Sequence, residues 1–208
     1  MILNPQLENL WASRGHVQGE CMSHRDSPYM YVYIPKNASS WTKPNLIDHG
    51  WEFYNYKKDN FKKHALIVLR DPVDRWISGI SEFLTLYHPT FSINNNETVE
   101  LIFDRITFDD HTERQIYFLD GIDTDNATFF WCDENYRKNF SQFISENYGP
   151  NKYDRYDYQH VSENSPERKK FKKIFGDLIN SDRQLRTKLE EHFSLDYQLL
   201  KEITFYGS

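Results

Sequence analysis

Residues 65–72, "ALIVLRDP", decide the fold of this chain because a buried strand passes directly into a helix there. An unbroken run of apolar, mostly branched residues is typical of a strand inside a parallel sheet. Asp71 suits the N-cap of the helix, and Pro72 suits its first position, where the missing N–H loses no hydrogen bond. Apolar residues then recur at helical spacing and are expected to face the core: Val73, Trp76, Ile77, Ile80 and Leu84.

Further strands and helices alternate along the chain on both sides of this stretch. Short β-rich runs predict strands at residues 29–34 and 127–132. Helices are predicted at residues 44–50, 97–106, 111–119, 134–147, 166–180 and 182–202. This alternation predicts an α/β layered fold with a mainly parallel central sheet flanked by helices. The length of 208 residues fits one domain, residues 1–208, with a sizeable core.

Charge and composition narrow the classes of function. The net charge of −6 argues against nucleic-acid binding, so an anionic ligand requires a local positive site. No apolar run approaches the roughly 18 residues that cross a membrane, and the first residues lack the pattern of a signal peptide. Cys21 and Cys132 are too few for a disulfide framework. These observations predict a cytoplasmic protein with reduced thiols, although one disulfide bridge stays open.

A polar loop follows the first predicted strand, in the stretch "YVYIPKNASSW" at residues 31–41. It supplies the positive charge of Lys36, the hydroxyls of Ser39 and Ser40, and backbone N–H groups around Ala38. Small residues allow a phosphate or sulfate to approach the backbone. The loop is not a Walker A motif, because the lysine precedes the small residues. A strand-ending turn of solvated polar residues is the alternative interpretation.

A second polar segment follows the strand at residues 65–69. Arg70 offers a planar fork that suits phosphate, and Ser78, eight residues later, lies off the apolar stripe of the helix. An ion pair between Arg70 and Asp74 is the alternative. Ligands of such sheets sit beyond the carboxyl ends of the strands. The two segments together therefore predict a ligand with two anionic ends.

These two segments carry a resemblance to a known family. "IPKNASSW", residues 34–41, resembles the 5′-phosphosulfate-binding loop of sulfotransferases. "VLRDPVDRWISGISEF", residues 68–83, resembles their 3′-phosphate-binding segment, and "RDPVDR" is closer to carbohydrate sulfotransferases of the heparan sulfate 2-O type than to cytosolic small-molecule enzymes. The similarity spans residues 31–83. It implies a P-loop-like three-layer fold and a single sulfotransferase-like domain.

The resemblance implies 3′-phosphoadenosine-5′-phosphosulfate (PAPS) as the donor and 3′-phosphoadenosine-5′-phosphate (PAP) as the product. Lys36 is then expected to neutralise charge near the bridging oxygen while the S–O bond breaks. The acceptor is a hydroxyl group, and the resemblance favours a carbohydrate. The remaining donor-binding residues are Asn37, Ala38, Ser39 and Ser40 at the phosphosulfate, Trp41 near the adenine, and Arg70 and Ser78 at the 3′-phosphate.

A hydroxyl acceptor needs a general base, and histidine is a usual choice. His49 is the first candidate, because heparan sulfate 2-O enzymes carry a catalytic histidine near the corresponding position. A solvated histidine in a turn is the alternative. His111 is the second candidate, and it opens a segment similar to the "H-x-x-x-Q" of the family. Glu82 and His160 are outside candidates.

Other features of the sequence bear on the predicted sulfotransferase site. Pro44 predicts that the helix after the first loop starts there, which leaves Ser39 and Ser40 in open loop. No metal is expected, because the acidic residues around His111 match no defined metal-site spacing. The chain is short for a carbohydrate sulfotransferase, so an acceptor site completed by a second subunit stays open. The basic run at residues 167–173 is interpreted as the solvated face of a helix, with a phosphate-binding patch as the alternative.

Two rival functions remain at this point. One is a nucleotide-dependent kinase or other phosphotransferase, since phosphate loops on α/β sheets serve both classes. The absence of a Walker lysine and of an obvious magnesium-binding aspartate on a second strand counts against it. The other is a module that binds nucleotide or glycan without turnover.

Overall fold

The computed structural model describes residues 19–58, 63–89, 91, 96–148 and 165–207. The chain forms two compact units whose segments alternate along the sequence, where the sequence predicted one domain. The sheet unit contains the described residues of 18–70, 115–160 and 199–208. The helical unit contains those of 71–114 and 161–198.

The sheet unit is built on a five-stranded sheet with the strand order β3-β1-β2-β4-β5. Strands β2, β4 and β5 run parallel to one another, whereas β1 pairs antiparallel with both β2 and β3. The strands are β1 (Glu20–Ser23), β2 (Tyr29–Val32), β3 (Glu52–Asn55), β4 (His64–Leu69) and β5 (Ala127–Trp131). The α/β class is therefore confirmed, and the sheet is mixed.

The prediction of a mainly parallel sheet is wrong, because β1 and β3 have no strand signal in the sequence and both pair antiparallel. Each has only four residues, "ECMS" and "EFYN", and each mixes polar with apolar side chains. Most of β1 is buried all the same, so packing rather than residue preference determines that it is a strand. The three strands that the sequence did predict form the parallel part of the sheet.

Seven α-helices occur in the described part of the chain. They are α1 (Ser39–Asp48), α2 (Pro72–Tyr87), α3 (Asn96–Arg105), α4 (Tyr136–Tyr148), α5 (Pro166–Ser181), α6 (Arg183–His192) and α7 (Ser194–Glu202). The helix predicted at residues 111–119 is a turn followed by a 3₁₀ helix at Gln115–Leu119, and the one predicted at 182–202 is two helices. None of the described helices is long and apolar enough to cross a membrane.

The core of the sheet unit covers both faces of β4, which explains the unbroken apolar run in its sequence. Successive side chains of a strand point to opposite faces. Leu66 and Val68 pack on one face in a cluster with Trp41 and the aromatic residues of α4. Ala65, Ile67 and Leu69 pack on the other face with residues of the 3₁₀ helix and the C-terminal segment.

The helical unit packs around α2. The side chain of Asp71 accepts a hydrogen bond from Asp74 N at 2.9 Å, and Pro72 occupies the first turn, so the predicted N-cap is confirmed. Trp76 is fully buried and its ring contacts those of Phe103 and Phe175. Four of the five predicted core positions are buried and Ile77 is partly buried.

The basic run at residues 167–173 lies on α5 and is mainly a solvated helix face, as predicted. Its lysines are exposed. Arg168 instead turns inward, where its Nε lies 3.1 Å from Glu82 Oε2 in a nearly buried ion pair. Glu82, one of the two outside candidates for the base, therefore pairs with Arg168, and His160, the other, lies outside the described residues.

Candidate functional site

The segment between β2 and α1 adopts a backbone conformation that residues other than glycine rarely adopt. Lys36 has a φ of 69° and Ala38 a φ of 54°, both in the left-handed region. Each such residue costs about 1 kcal/mol or more, and such strain clusters at ligand-binding sites. Turns of this kind direct backbone N–H groups into a concavity that suits an anion. We call residues 35–40 the anion loop.

The anion loop ends in the first turn of α1, whose N–H groups have no cap from a side chain. Ala38 is the N-cap residue and provides no side-chain hydrogen bond. The N–H groups of Ser39 and Ser40 precede the first hydrogen bond of the helix, which Trp41 N donates to Ala38 O at 2.9 Å, and they lie at the positive end of the helix dipole. This helix terminus is therefore suited to bind the oxygens of a phosphate or sulfate.

The start of α1 corrects the prediction made from Pro44. The helix begins at Ser39, so both serines of the loop are helical, and Pro44 lies inside the helix. Pro44 loses one backbone hydrogen bond. Asn45 Nδ2 donates to Trp41 O at 2.6 Å, and Trp41 and Leu46 are buried in the core. Burial of this face of α1 outweighs the local cost of the proline.

One buried side-chain amide joins the anion loop to Arg70. Gln115 Oε1 accepts from Arg70 N at 3.0 Å, and Gln115 Nε2 donates to Arg70 O at 2.9 Å. The same Oε1 accepts from Asn37 Nδ2 at 2.7 Å, and Asn37 Nδ2 also donates to Val68 O at 2.7 Å. Gln115 is 1% exposed and Asn37 is 0% exposed. The sequence did not identify Gln115 as a site residue; its only signal was the last position of the "H-x-x-x-Q" segment.

The segments after β2, β4 and β5 start at the same edge of the sheet, because these three strands are parallel. Arg70 directly follows β4, and Cys132 directly follows β5 and donates its N–H to Leu69 O at 2.8 Å. Burial raises the pKa of the Cys132 thiol, and the positive charge of Arg70 opposes part of that rise. The guanidinium therefore lies near Cys132. Cys21 and Cys132 are both free thiols, so the bridge left open by the sequence does not form.

Two of the predicted donor-binding residues have other surroundings. Trp41 is 6% exposed, and its ring contacts Tyr136 and Phe140 edge to face at 5.8 and 6.4 Å. This packing makes Trp41 a core residue of the sheet unit rather than an open platform for adenine. Ser78 lies on α2 in the helical unit and is 4% exposed.

The structure does not bring His49 to the anion loop. His49 is the C-cap residue of α1, and a helix of 10 residues is about 15 Å long, so it lies at the opposite end from Ala38. Its Nδ1 lies 2.7 Å from Asn45 O. Because a carbonyl only accepts, Nδ1 carries a proton in this contact.

His111 belongs to a cluster of charged groups in the helical unit. Its Nδ1 lies 2.8 Å from Asp109 Oδ2 and 3.1 Å from Asp110 Oδ1. Burial lowers the pKa of His111, but the two carboxylates outweigh burial and raise the pKa to about 9. The ligand atoms of these three residues are close enough to share a metal ion. The protonated imidazole pairs with both carboxylates, so His111 is poorly suited as a base at neutral pH.

Arg75 stabilises the segment around His111 through hydrogen bonds to backbone carbonyls. It is buried, and its guanidinium donates to Glu113 O and to Asp110 O. Burial lowers the pKa of Arg75 to about 10, although nearby carboxylates raise it, so the group stays charged at neutral pH. Gly79 allows the close approach of this segment to α2, since a Cβ there would lie 2.1 Å from His111 O.

A cavity of about 700 Å³ opens beside the end of β5 in the sheet unit. Aromatic and polar side chains share its lining. The rings of Trp131 and Phe205 contact each other at 5.2 Å. The polar side chains of the lining include Asp133, Asn135 and Lys138.

Comparisons of the chain with models of protein families, with curated proteins and with solved structures find no match. Its function must therefore be argued from its own residues. Among the described residues of the sheet unit, the anion loop and Arg70 are joined by Gln115 at one edge of the sheet. That arrangement can hold a ligand with two anionic groups.

Proposed function

We propose that this chain is a PAPS-dependent sulfotransferase that transfers a sulfuryl group to a hydroxyl acceptor, with carbohydrate as the expected class. The hydrogen bonds of Gln115 are the main support for this proposal, because they connect the anion loop to the backbone of Arg70. PAPS has an anionic phosphosulfate at one end and a 3′-phosphate at the other. The strained, uncapped loop and the arginine match those two ends.

Each group has a role that follows from its chemistry. The hydroxyls of Ser39 and Ser40 and the N–H groups at the start of α1 would bind the phosphosulfate oxygens. Lys36 would stabilise the negative charge that develops on the bridging oxygen. Arg70 would bind the 3′-phosphate through its planar fork. Ser78 is assigned to that phosphate on the sequence resemblance alone.

The reaction would be an in-line displacement at sulfur. The bond from sulfur to the bridging oxygen would break with its electron pair going to PAP, a bond from sulfur to the acceptor oxygen would form, and the hydroxyl proton would pass to a general base. As in phosphoryl transfer, positioning and electrostatic stabilisation are expected to supply most of the acceleration. The sulfuryl group carries less charge than a phosphoryl group, so the proposal includes no magnesium ion.

The identity of the base is a separate question. The sequence predicted His49 first and His111 second. His49 lies at the far end of α1, and His111 is protonated at neutral pH, so neither geometry nor charge favours these assignments. We expect His49→Ala to leave both PAP binding and turnover unchanged. Loss of turnover with intact PAP binding in steady-state assays would restore His49 as the base.

The cavity beside β5 is our candidate for an acceptor subsite. Aromatic rings bind the C–H faces of sugars, and charged or amide groups bind their hydroxyls, which is the mixture found in its lining. Lys138 is exposed there and is available to an anionic glycan. We expect Lys138→Ala to raise the KM for such an acceptor and to leave PAP affinity unchanged, as measured by transfer assays and calorimetry.

The proposed function is tested by the choice of nucleotide. Thermal shifts are measured with PAP and with ATP–Mg²⁺, followed by assays of sulfate transfer from PAPS to a panel of glycans. Stabilisation by PAP and transfer to a glycan are expected. Preference for ATP–Mg²⁺ would point to a phosphotransferase, and PAP binding without transfer to any acceptor would point to a binding module. A sizing column during the same preparation tests whether a second subunit is present.

A further inference from the structure

Gln115 belongs to no predicted set of donor-binding or catalytic residues, yet it contacts both halves of the proposed donor site. Its amide orientation is fixed, because Arg70 N can only donate and Arg70 O can only accept. The oxygen must therefore face Arg70 N, and it is this oxygen that Asn37 Nδ2 also contacts. The orientation of the Asn37 amide follows, since its nitrogen faces two acceptors, Gln115 Oε1 and Val68 O.

Gln115 is itself held firmly on the sheet. It begins the 3₁₀ helix Gln115–Leu119, in which Phe118 and Leu119 are buried in the core on one face of the sheet. The hydroxyl of Tyr56 donates to Phe118 O at 2.8 Å, which ties the turn to the segment after β3. The amide therefore projects from a turn that is packed in the core and hydrogen-bonded to a neighbouring segment.

We propose that Gln115 is a positioning residue that fixes the separation of the two anion subsites and so makes the site selective for a ligand with two anionic ends. The inference rests on the proposed function and adds a residue that sets the selectivity of the donor site. Gln115 is expected to act through Asn37 and the backbone of Arg70, without contacting the ligand.

The physical reason is the advantage of binding at two points. When two subsites are held at the separation of the two charged groups, the second group binds as an intramolecular event, and this gain is lost if the geometry changes. Each subsite alone depends on its own local groups, which are the N–H groups of α1 on one side and the Arg70 guanidinium on the other. Loss of Gln115 should therefore affect the two-ended ligand more than single-ended ones.

The test compares three probes on the wild-type chain and on Gln115→Leu. The probes are PAP, which has both phosphates, and adenosine 5′-phosphate and adenosine 3′-phosphate, which have one each. Gln115→Leu is expected to weaken PAP binding by about tenfold or more and to change binding of either single-ended probe by less than about threefold. Calorimetry suits PAP, and ligand-observed NMR suits the weaker probes. Gln142→Leu is the control, since Gln142 is exposed in the same unit and contacts Glu146.

The outcomes separate this inference from the proposed function. If the wild-type chain binds PAP no better than the single-ended probes, the proposed donor is wrong. If wild-type selectivity for PAP is present but Gln115→Leu weakens all three probes equally, Gln115 is a structural residue and the inference is overturned. Should Gln115→Leu not fold, Gln115→Glu is used, which keeps an accepting oxygen and replaces the donating nitrogen. A selective loss of PAP binding in that variant supports the inference, and an equal loss for all probes overturns it.

Discussion

The anion loop in the sheet unit and the segment at residues 106–114 in the helical unit, which we call the acidic loop, resemble each other in sequence character and differ in the role of their polar groups. Both are polar, and both contain residues with a positive φ: Lys36 and Ala38 in one, Ile106 with a φ of 57° in the other. In the acidic loop, Trp76 Nε1 donates to Ile106 O at 2.8 Å.

The charges of the acidic loop are neutralised within its own unit. Asp109 and Asp110 pair with His111, and Arg75 binds the loop carbonyls. The anion loop instead presents the uncapped start of α1. Strain and polarity alone therefore do not identify a ligand site. In the acidic loop the charged side chains pair with one another, whereas the anion loop provides a helix terminus without a side-chain cap.

The largest expected effect concerns the support of the acidic loop. Arg75→Met removes a buried cation and its hydrogen bonds to the carbonyls of Asp110 and Glu113. The free energy of unfolding is expected to fall by about 4 kcal/mol in urea titrations. Arg186→Met is the control, since Arg186 forms an exposed pair with Glu190, and about 0.5 kcal/mol is expected there. Equal effects in the two variants would contradict the role assigned to Arg75.

The second prediction concerns binding and not stability. Arg70→Ala removes the proposed ligand of the 3′-phosphate and should weaken PAP binding by about a hundredfold in calorimetry. The unfolding midpoint should change little, because no carboxylate of the described sheet unit forms an ion pair with Arg70. Arg137→Ala, an exposed arginine over the ring of Trp41 in the same unit, should change affinity by less than about threefold. Retained PAP affinity in Arg70→Ala would remove Arg70 from the site.

The third prediction concerns how the pairing of His111 in the acidic loop makes the free energy of unfolding depend on pH. The folded pKa of His111 is raised to about 9 from its usual 6.5, so its pairing stabilises fully below pH 6.5 and this contribution is lost as pH rises through 9. The free energy of unfolding should therefore fall by about 3 kcal/mol between pH 6.5 and 9.5 relative to His111→Gln. Urea titrations of both proteins across this range measure the difference. Parallel pH profiles would show that the pairing contributes nothing.

The smallest expected effect tests the strain in the anion loop. Ala38→Gly relieves the penalty of a φ of 54° and should change the free energy of unfolding by about 0.5–1 kcal/mol in the stabilising direction. PAP binding should be retained. Ala127→Gly is the matched control, because Ala127 has an extended conformation with a φ of −139° and glycine should destabilise there. Destabilisation of similar size in both variants would mean that Ala38 is not strained.

The sequence predicted the features that depend on local preference. The three strands with continuous apolar runs, the N-cap at Asp71 and the core positions of α2 are all present. The prediction from sequence failed where local preference is weak or where tertiary packing overrides it. The short polar strands β1 and β3 form because neighbours complete them, and α1 passes through Pro44 because Trp41 and Leu46 are buried.

The candidate site shows the same division. By itself, the sequence determined which groups could hold an anion. The charge of the lysine and of Arg70 and the small size of the residues in the anion loop depend on residue type alone. Only the tertiary structure decided how these groups are joined, through an amide that is 78 residues from Asn37 and 45 residues from Arg70. It also placed His49 at the far end of α1 and surrounded His111 with carboxylates. Residue type sets what a side chain can do, whereas contacts between distant segments set its partners, its protonation and its position.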